Sequence, residues 1–253
     1  MIPYTPFPSI QLGPVTIYLW GIMVALGLSI SLALTLADAR KKRISEDIVY
    51  DVALVAIVSG FIGARILYLM LNWQADSLNL VKAFEIWKGG LAFFGGFIAG
   101  LASSAVYLHR KHLNFWQFAD LVAPYIPLAH AFGRVGNIFA GQQVGKLTTE
   151  PWGVLFNSEI RHQTAAYEMI GLLALFAVML KLKQHQRPRG QLFLAYVMMY
   201  CGLRFFIEFF RADLVYFLGL TSAQLIIILI FPTCAILLVG QKLKWQFVKR
   251  IGL

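Results

Sequence analysis

Arg134 is the side chain of this sequence best placed to bind an anion. It lies in AFGRVGNIFAGQQVG, within an apolar run from Phe115 to Phe139, and no acidic residue shares its helical face in that run. An arginine at membrane depth costs roughly 2.5–3.5 kcal/mol on insertion scales, so it normally faces a wet cavity or a bound anion. The surrounding glycines would let a ligand or a second helix approach the backbone closely. We therefore predict that Arg134 binds an anionic ligand that is already in the bilayer.

Few other ionisable side chains lie within or at the ends of apolar runs: Arg65, Asp120, His130, His162, Glu168, Arg204 and Glu208. Arg204 and Glu208 are spaced i,i+4, so they either pair on one helix face or line a polar cavity. Asp120 is expected to cap a helix or to lie near its positive end. Arg65 either packs against Tyr68, one turn on, or contacts the ligand.

Several arginines converging in one bundle suit a phosphate group, which guanidinium binds through paired hydrogen bonds. The carboxylates of Glu168 and Glu208 could orient these arginines or move protons. The sequence has no metal-ligand spacing, nucleophile elbow, P-loop or dinucleotide fingerprint, so we predict neither a metal nor a cofactor. These residues indicate a lipid-handling protein, and periodicity alone leaves transferase, flippase and transporter open.

The composition places these side chains in a membrane protein. Of the 253 residues, 59% are hydrophobic and 13% are charged, whereas a soluble domain carries about 25% charged residues. The length suits one helical bundle, so we predict an all-α polytopic protein whose residues 1–253 form a single integral membrane domain. Cys201 and Cys234 both lie in apolar runs, where ordinary packing is the favoured interpretation.

Seven apolar runs approach the length of about 20 residues that a spanning helix needs. They are Thr16–Leu36, Val49–Leu71, Gly89–Leu108, Phe115–Phe139, Ala165–Leu182, Gly190–Phe210 and Ala223–Gly240.

Basic residues are unevenly distributed among the connections. Alternate connections and the C-terminal tail hold fourteen of the 22 Lys and Arg residues, for example Arg40 to Arg43 and Arg110 with Lys111. The positive-inside rule then places the N-terminus outside and the C-terminus in the cytoplasm. The net charge of +10 is thus a topology signal, and we do not expect nucleic-acid binding. The longest outside connection, from about Ala140 to Thr164, is a candidate functional loop.

Seven stretches resemble, in order, the prolipoprotein diacylglyceryl transferase family over nearly the whole chain. They are YLWGIMVALG, GARILY, GGLAFFGG, FADLVAPYIP, GRVGNIFAGQQVG, RHQTAAYE and YCGLRFFIEFFRAD. The fifth is similar to the family signature GRxGNFxNGExxG, and the family topology also has seven spans with the N-terminus outside.

The resemblance implies an enzyme of the bacterial cytoplasmic (inner) membrane. Such an enzyme passes the diacylglyceryl group of phosphatidylglycerol to the thiol of the lipobox cysteine in a preprolipoprotein signal peptide. The product is a thioether, glycerol phosphate leaves, and the nucleophile belongs to the substrate, so no catalytic cysteine is expected. Its partners would be phosphatidylglycerol, preprolipoproteins and the surrounding membrane lipids.

Carried over by position, the resemblance assigns Arg134 and Arg204 to the lipid phosphate. The remaining substrate-binding residues that we predict are Tyr18, Arg65, Gly136, Asn137, Gly145, Glu168, Tyr200 and Glu208.

Some positions depart from the family pattern. Phe94 stands where the family motif HGG has its histidine, a proposed base, and Gln142 stands where the signature has glutamate. Two explanations follow. In one, His130 or His162 supplies the base, or the thiol ionises unaided, and we name both histidines with Arg134 and Arg204 as catalytic candidates. In the other, the chain binds phosphatidylglycerol but uses another acceptor or is non-catalytic.

Overall fold

The computed structural model describes residues 1–13, 15–72, 90–185 and 188–250, and these residues are mostly helical. The helices are α1 (Leu19–Lys41), α2 (Glu46–Leu71), α3 (Phe93–Arg110), α4 (Phe115–Val122), α5 (Ile126–Phe139), α6 (Thr164–Leu182), α7 (Gln191–Glu208) and α8 (Ser222–Arg250). Five of them, α1, α2, α6, α7 and α8 over Ser222–Gln241, are long and apolar enough to cross a membrane. The prediction of a mainly helical, multi-pass membrane protein is therefore confirmed.

In the residues that the structure describes, three small β-sheets accompany the helices, and the all-α prediction missed them. The strands are β1 (Ile2–Pro3), β2 (Ser9–Leu12), β3 (Val15–Tyr18), β4 (Val144–Leu147), β5 (Val154–Phe156), β6 (Glu159–Gln163), β7 (Val215–Phe217) and β8 (Leu220–Thr221). The four-stranded sheet has the order β1-β5-β6-β4, while β2-β3 and β7-β8 are separate pairs. Strands of two to five residues are too short to produce a clear alternation of apolar and polar residues. The connection predicted as a functional loop thus supplies three strands of one sheet.

The predicted span Phe115–Phe139 is wrong as a single helix. It is divided into α4 and α5, which are 8 and 14 residues long. Pro124 and Pro127 explain the break, because proline lacks the backbone N–H and clashes with the preceding turn of a helix. Pro127 is instead tolerated in the first turn of α5. Arg134 therefore lies on the short helix α5.

The ends of the other spans differ by a few residues from the predictions. The first begins at Leu19, because Thr16 to Tyr18 belong to β3. The third was predicted to begin at Gly89, which lies outside the described residues, as do Lys82 and Lys88 of the preceding connection.

The chain divides into two compact units, one made of residues 1–35 and 119–253 and the other of residues 36–118. In the smaller unit α2 packs closely on α3: a Cβ at Gly63 would collide with the Gly95 backbone, and one at Gly96 would lie 3.0 Å from the Gly60 carbonyl oxygen. Small residues at facing positions allow this approach. Arg65 lies in this unit, where its Nη1 donates to the Gly90 carbonyl at 2.9 Å.

The larger unit is built around α6, which packs against both α5 and α7. Its core contains the buried side chains of Ala123, Leu175, Met179, Leu192 and Tyr196. Because α5, α6 and α7 face one another, polar residues on them can meet although they are distant in sequence.

Asp120 on α4 caps the N-terminus of α7. Its Oδ2 accepts from the Gly190 N–H at 2.5 Å and its Oδ1 from the Phe193 N–H at 2.8 Å. The first N–H groups of a helix lack partners within the helix, so a carboxylate there satisfies two donors at once. The expectation that Asp120 caps a helix is confirmed, and the helix is a different one from its own.

Replacing Asp120 by alanine should lower the free energy of unfolding by about 1–2 kcal/mol, the upper part of the range for loss of a cap. Denaturant titration in detergent micelles would measure this difference. Asp120→Asn keeps an acceptor and should lose less than half as much. Equal stability of the alanine variant and the wild type would contradict the capping role.

Candidate active site

The carboxylate of Glu168 on α6 is the centre of a charged cluster in the larger unit. Glu168 is fully buried. Its Oε1 lies 2.9 Å from Arg134 Nη2 on α5, and its Oε2 lies 3.0 Å from Arg204 Nη1 on α7. The Tyr200 hydroxyl also donates to Oε1, at 3.2 Å. Three helices therefore bring two arginines to one buried carboxylate.

The pairing of Arg134 with Glu168 corrects one expectation. The sequence shows no acidic residue near Arg134 in its own apolar run, whereas the partner comes from a different helix. A buried charge needs a partner because removing it from water is costly. Arg134 is accordingly part of a network and is not an isolated cation.

Arg204 makes the i,i+4 ion pair that its spacing suggested, while the lining of a polar cavity by this pair stays a prediction. Its Nη2 lies 2.8 Å from Glu208 Oε2 one turn along α7, while its Nη1 reaches Glu168. Glu208 is buried as well. Arg204 thus joins two buried carboxylates, one on α6 and one on α7.

Arg211 and Gln143 belong to the same cluster, and the sequence reasoning missed both. Arg211 Nη1 donates to Gln143 Oε1 at 3.1 Å, and Arg134 Nη1 donates to the same oxygen. Arg211 also lies 3.6 Å from Glu208. The position of Arg211 three residues after Glu208 is the signal in the sequence that could have identified this pair. Nothing in the sequence singles out Gln143, whereas Gln142, at the signature glutamate position, is exposed.

Asp213 closes the network at its exposed end. Its Oδ2 accepts from Arg211 Nε at 2.8 Å. Partial burial of the Asp213 carboxyl raises its pKa, but the hydrogen bonds and charge of Arg211 outweigh burial and hold the pKa below its usual value. Asp213 is therefore ionised at neutral pH and neutralises part of the Arg211 charge.

His130 lies against the same arginine. Its Nε2 is 3.0 Å from Arg134 Nη2 and 3.7 Å from Glu168 Oε1, and its ring centroid is 5.1 Å from that of Tyr200. The expectation that His130 shares a helical face with Arg134 is confirmed.

His162 lies on β6 in the wall of a separate cavity of the same unit. Its Nδ1 is 3.0 Å from the Tyr167 hydroxyl, and its ring makes an edge contact with Phe210. The cavity has a volume of about 420 Å³. Its lining residues, most of them apolar or aromatic, are Thr148, Glu150, Trp152, His162, Tyr167, Phe206, Ile207 and Phe210.

The two glycines predicted to shape the site are packed tightly against protein. A Cβ at Gly136 would lie 2.9 Å from the Trp20 backbone, and one at Gly145 would lie 2.6 Å from the Thr164 side chain. Asn137, between them in the signature, is buried. Their contacts are with other segments of the chain, so these glycines hold α1, α5 and the β-sheet together beside the cluster.

Two further residues predicted to bind substrate are Tyr18 and Arg65. Tyr18 is 61% exposed at the end of β3, and the described contacts do not join it to the cluster. Arg65 lies in the smaller unit over the ring of Tyr68, 5.5 Å from its centroid. The packing role considered for Arg65 is therefore present, while ligand contact by either residue stays a prediction.

The cluster is suited to bind an oxyanion. Three guanidinium groups, whose planar sets of donors match the oxygens of a phosphate, are 12–15% exposed. In the parts of the chain that the structure describes, the buried Nε of Arg134 has no hydrogen-bond partner. A buried donor without a partner costs free energy, so an acceptor brought by a ligand would be favoured there.

The fold and this cluster define a multi-pass helical membrane protein with a buried arginine–carboxylate site. The family model for prolipoprotein diacylglyceryl transferase matches residues 8–240. The chain belongs to the prolipoprotein diacylglyceryl transferase family, as its motifs indicated.

Relatives similar to the chain over most of their length support the same conclusion. One from Clostridioides difficile strain 630 is 36% identical over 207 residues, which cover 82% of this chain and 84% of the relative. One from Limosilactobacillus reuteri is 32% identical over 250 residues (93% and 91%), and one from Bacillus velezensis is 31% identical over 261 residues (98% and 96%). All three carry the name phosphatidylglycerol–prolipoprotein diacylglyceryl transferase.

Proposed function

We propose that this protein transfers the diacylglyceryl group of phosphatidylglycerol to the thiol of a lipobox cysteine in a preprolipoprotein. The family and the names of the relatives support the reaction. The observation that carries the site assignment is the convergence of Arg134 and Arg204 on Glu168 in an apolar body. In the reaction the thiol sulfur attacks the glyceryl carbon next to the phosphate. A C–S bond forms, the C–O bond breaks, glycerol phosphate takes the electron pair, and a base takes the thiol proton.

The arginines would hold the phosphate and stabilise the charge that develops on the leaving group. Guanidinium binds phosphate oxygens through paired, charge-assisted hydrogen bonds. Donors that are already fixed before the reaction stabilise a developing anion without reorganising. Glu168 and Glu208 would keep Arg134 and Arg204 oriented, Tyr200 would support Glu168, and Asn137 would line the lipid site between Gly136 and Gly145.

A histidine of the larger unit would supply the base. Phe94, at the family histidine position, is half exposed at the start of α3, and a phenyl ring accepts no proton. His130 already contacts Arg134 and Tyr200, whereas His162 opens on a cavity large enough for part of a peptide. The cavity favours His162, with Tyr167 orienting its ring.

The proposed topology has seven crossings of a bacterial cytoplasmic membrane within one integral domain. In it, α3 is one crossing and α4 with α5 together form another. The basic connections lie in the cytoplasm, and the N-terminus and the four-stranded sheet lie outside. This orientation puts the C-terminal end of α5, and therefore Arg134, in the outer half of the bilayer, where a lipoprotein precursor presents its cysteine.

Replacing His162 by alanine should lower the transfer rate at least about 100-fold, because a positioned base contributes roughly 10²–10⁴ to a rate. The assay incubates the protein in phosphatidylglycerol micelles with a lipobox peptide and follows the thioether product by mass spectrometry. Loss of transfer in His130→Ala with full activity in His162→Ala would reverse the assignment.

The second candidate is a diverged protein that binds phosphatidylglycerol without this transfer, and the departures from the family pattern at Phe94 and Gln142 favour it. The same assay separates the two candidates. A peptide with serine in place of cysteine is the control. Saturable binding of phosphatidylglycerol without product by the wild type would establish the second candidate.

A further inference from the structure

Two guanidinium groups share one uncharged oxygen in the cluster. Gln143 Oε1 accepts from Nη1 of Arg134 and, at 3.1 Å, from Nη1 of Arg211. The other edges of these arginines face carboxylates: Arg134 Nη2 lies 2.9 Å from Glu168, and Arg211 Nε lies 2.8 Å from Asp213. Among the described side-chain contacts of these two arginines, the amide oxygen and the His130 ring nitrogen, 3.0 Å from Arg134 Nη2, are the uncharged partners, and the amide oxygen is the one that both arginines share.

An anionic oxygen would bind at this point more strongly than the amide does. The arginine donors are already ionised, so an ionised acceptor would add to both hydrogen bonds a charge–charge attraction that the neutral amide lacks. The buried Nε of Arg134, which lacks a partner in the described ranges, belongs to the same guanidinium. In Arg134, therefore, Nη1 donates to a neutral amide oxygen, and Nε has no acceptor in the described residues.

The backbone directs Gln143, and not its neighbour, into the cluster. Gln143 has a φ of 60°, a left-handed conformation that is uncommon for residues other than glycine. The Thr164 hydroxyl donates to its carbonyl oxygen and holds the turn. Gln142 is consequently exposed while Gln143 is partly buried. The uncommon backbone conformation of Gln143 thus places its amide between the two arginines.

We propose that Gln143 Oε1 occupies the position of a phosphate oxygen of the lipid headgroup and yields that position when the lipid binds. Arg211 is then a third phosphate-binding arginine, and Gln143 is a positioning residue that keeps the two guanidinium groups together while the site is free of lipid. Its neutrality is required, because a carboxylate of the same length would bind both arginines permanently. This inference rests on the proposed function, which supplies the phosphodiester.

Replacing Gln143 by glutamate should weaken phosphatidylglycerol binding and stabilise the protein at the same time. We expect the Kd for phosphatidylglycerol, measured in nanodiscs of phosphatidylcholine with increasing phosphatidylglycerol, to rise at least about tenfold, since the carboxylate competes with phosphate for charge-assisted hydrogen bonds. We expect Tm to rise, because the carboxylate gains two ionic partners. A residue with a merely structural role would change stability and binding in the same direction.

Asn157→Asp is the matched control. Asn157 is exposed in the turn between β5 and β6, and its φ of 49° is also left-handed. The variant makes the same amide-to-carboxylate change in the same unit, and both Kd and Tm should stay within the error of the wild type. Gln143→Leu removes the acceptor without adding charge, so it should lower Tm. Its Kd should change less than about threefold, because no carboxylate competes with the phosphate as it does in Gln143→Glu.

The remaining outcomes separate this inference from the proposed function. Wild-type affinity in Gln143→Glu, or an equal loss in Asn157→Asp, would overturn the inference and leave the proposed function standing. Inorganic phosphate distinguishes the headgroup from a free anion. If phosphate binds the wild type with the same sensitivity to Gln143→Glu but phosphatidylglycerol does not bind, the anion site stands and the proposed lipid function fails. If neither binds, both are overturned.

Discussion

Replacing Arg134 by alanine is expected to abolish diacylglyceryl transfer, with kcat/KM falling by at least about 100-fold. Arg134 contacts Glu168, His130 and Gln143 at once, so its loss removes the proposed phosphate donor and an ion pair between α5 and α6. The measurement is the rate of thioether formation on a lipobox peptide in phosphatidylglycerol micelles. Full activity in Arg134→Ala would disprove the site assignment.

Two further variants show whether the loss comes from the site. Arg134→Lys keeps the charge but loses the planar pair of donors, so its activity should lie between those of alanine and the wild type. Arg40→Ala removes an arginine that is 66% exposed and pairs with Glu46 in the other unit. Its activity should stay within about twofold of the wild type, because an exposed pair of this kind contributes at most about 1 kcal/mol.

Replacing Glu168 by glutamine is expected to destabilise the protein by about 3–5 kcal/mol, the usual cost of removing one partner of a buried ion pair. Glu168 is fully buried and pairs with both Arg134 and Arg204. Glutamine has nearly the same volume, so the effect would come from charge and not from packing. Denaturant titration in detergent gives the free energy of unfolding.

Glu159→Gln is the matched control for this change. Glu159 pairs with Arg161, but its side chain is 48% exposed, and the expected loss is below about 1 kcal/mol. Added phosphatidylglycerol should raise the Tm of Glu168→Gln by more than that of the wild type, because its phosphate supplies the missing negative charge. Wild-type stability in Glu168→Gln would show that Arg134 and Arg204 do not depend on this carboxylate.

Much of the membrane architecture could be predicted from the sequence. A long apolar run in a bilayer is restricted to few structures. In an α-helix the backbone N–H and C=O groups pair with each other, and lipid offers them no other partner. Charged residues are rare in such runs, so Arg134, Glu168, Arg204 and Glu208 could be selected one by one. The same reasoning failed where local chemistry opposed the apolar pattern, as at Pro124 and Pro127, and where strands were only a few residues long.

The contacts among the selected residues were less accessible to prediction. Sequence spacing relates residues one helical turn apart, such as Arg204 and Glu208. It does not relate Arg204 to Glu168, 36 positions away, or Arg211 to Gln143, 68 positions away. Those pairs depend on how α5, α6 and α7 face one another and on one left-handed turn.

The sequence by itself determined that this is a multi-pass membrane protein of the prolipoprotein diacylglyceryl transferase family. It also singled out Arg134, Glu168, Arg204 and Glu208, four of the charged residues that meet in the cluster. Composition and the order of motifs indicate the membrane class and the family. Charged residues are costly in a bilayer, so the few that occur in apolar runs stand out in the sequence. Only the tertiary structure decided how those charges are paired. It gave Arg134 a carboxylate partner from another helix, placed Gln143 between two arginines, and put His162 in a cavity wall. The physical reason is that a buried charge is stabilised by whatever group packing brings within a few ångströms, and packing joins residues that the chain keeps far apart.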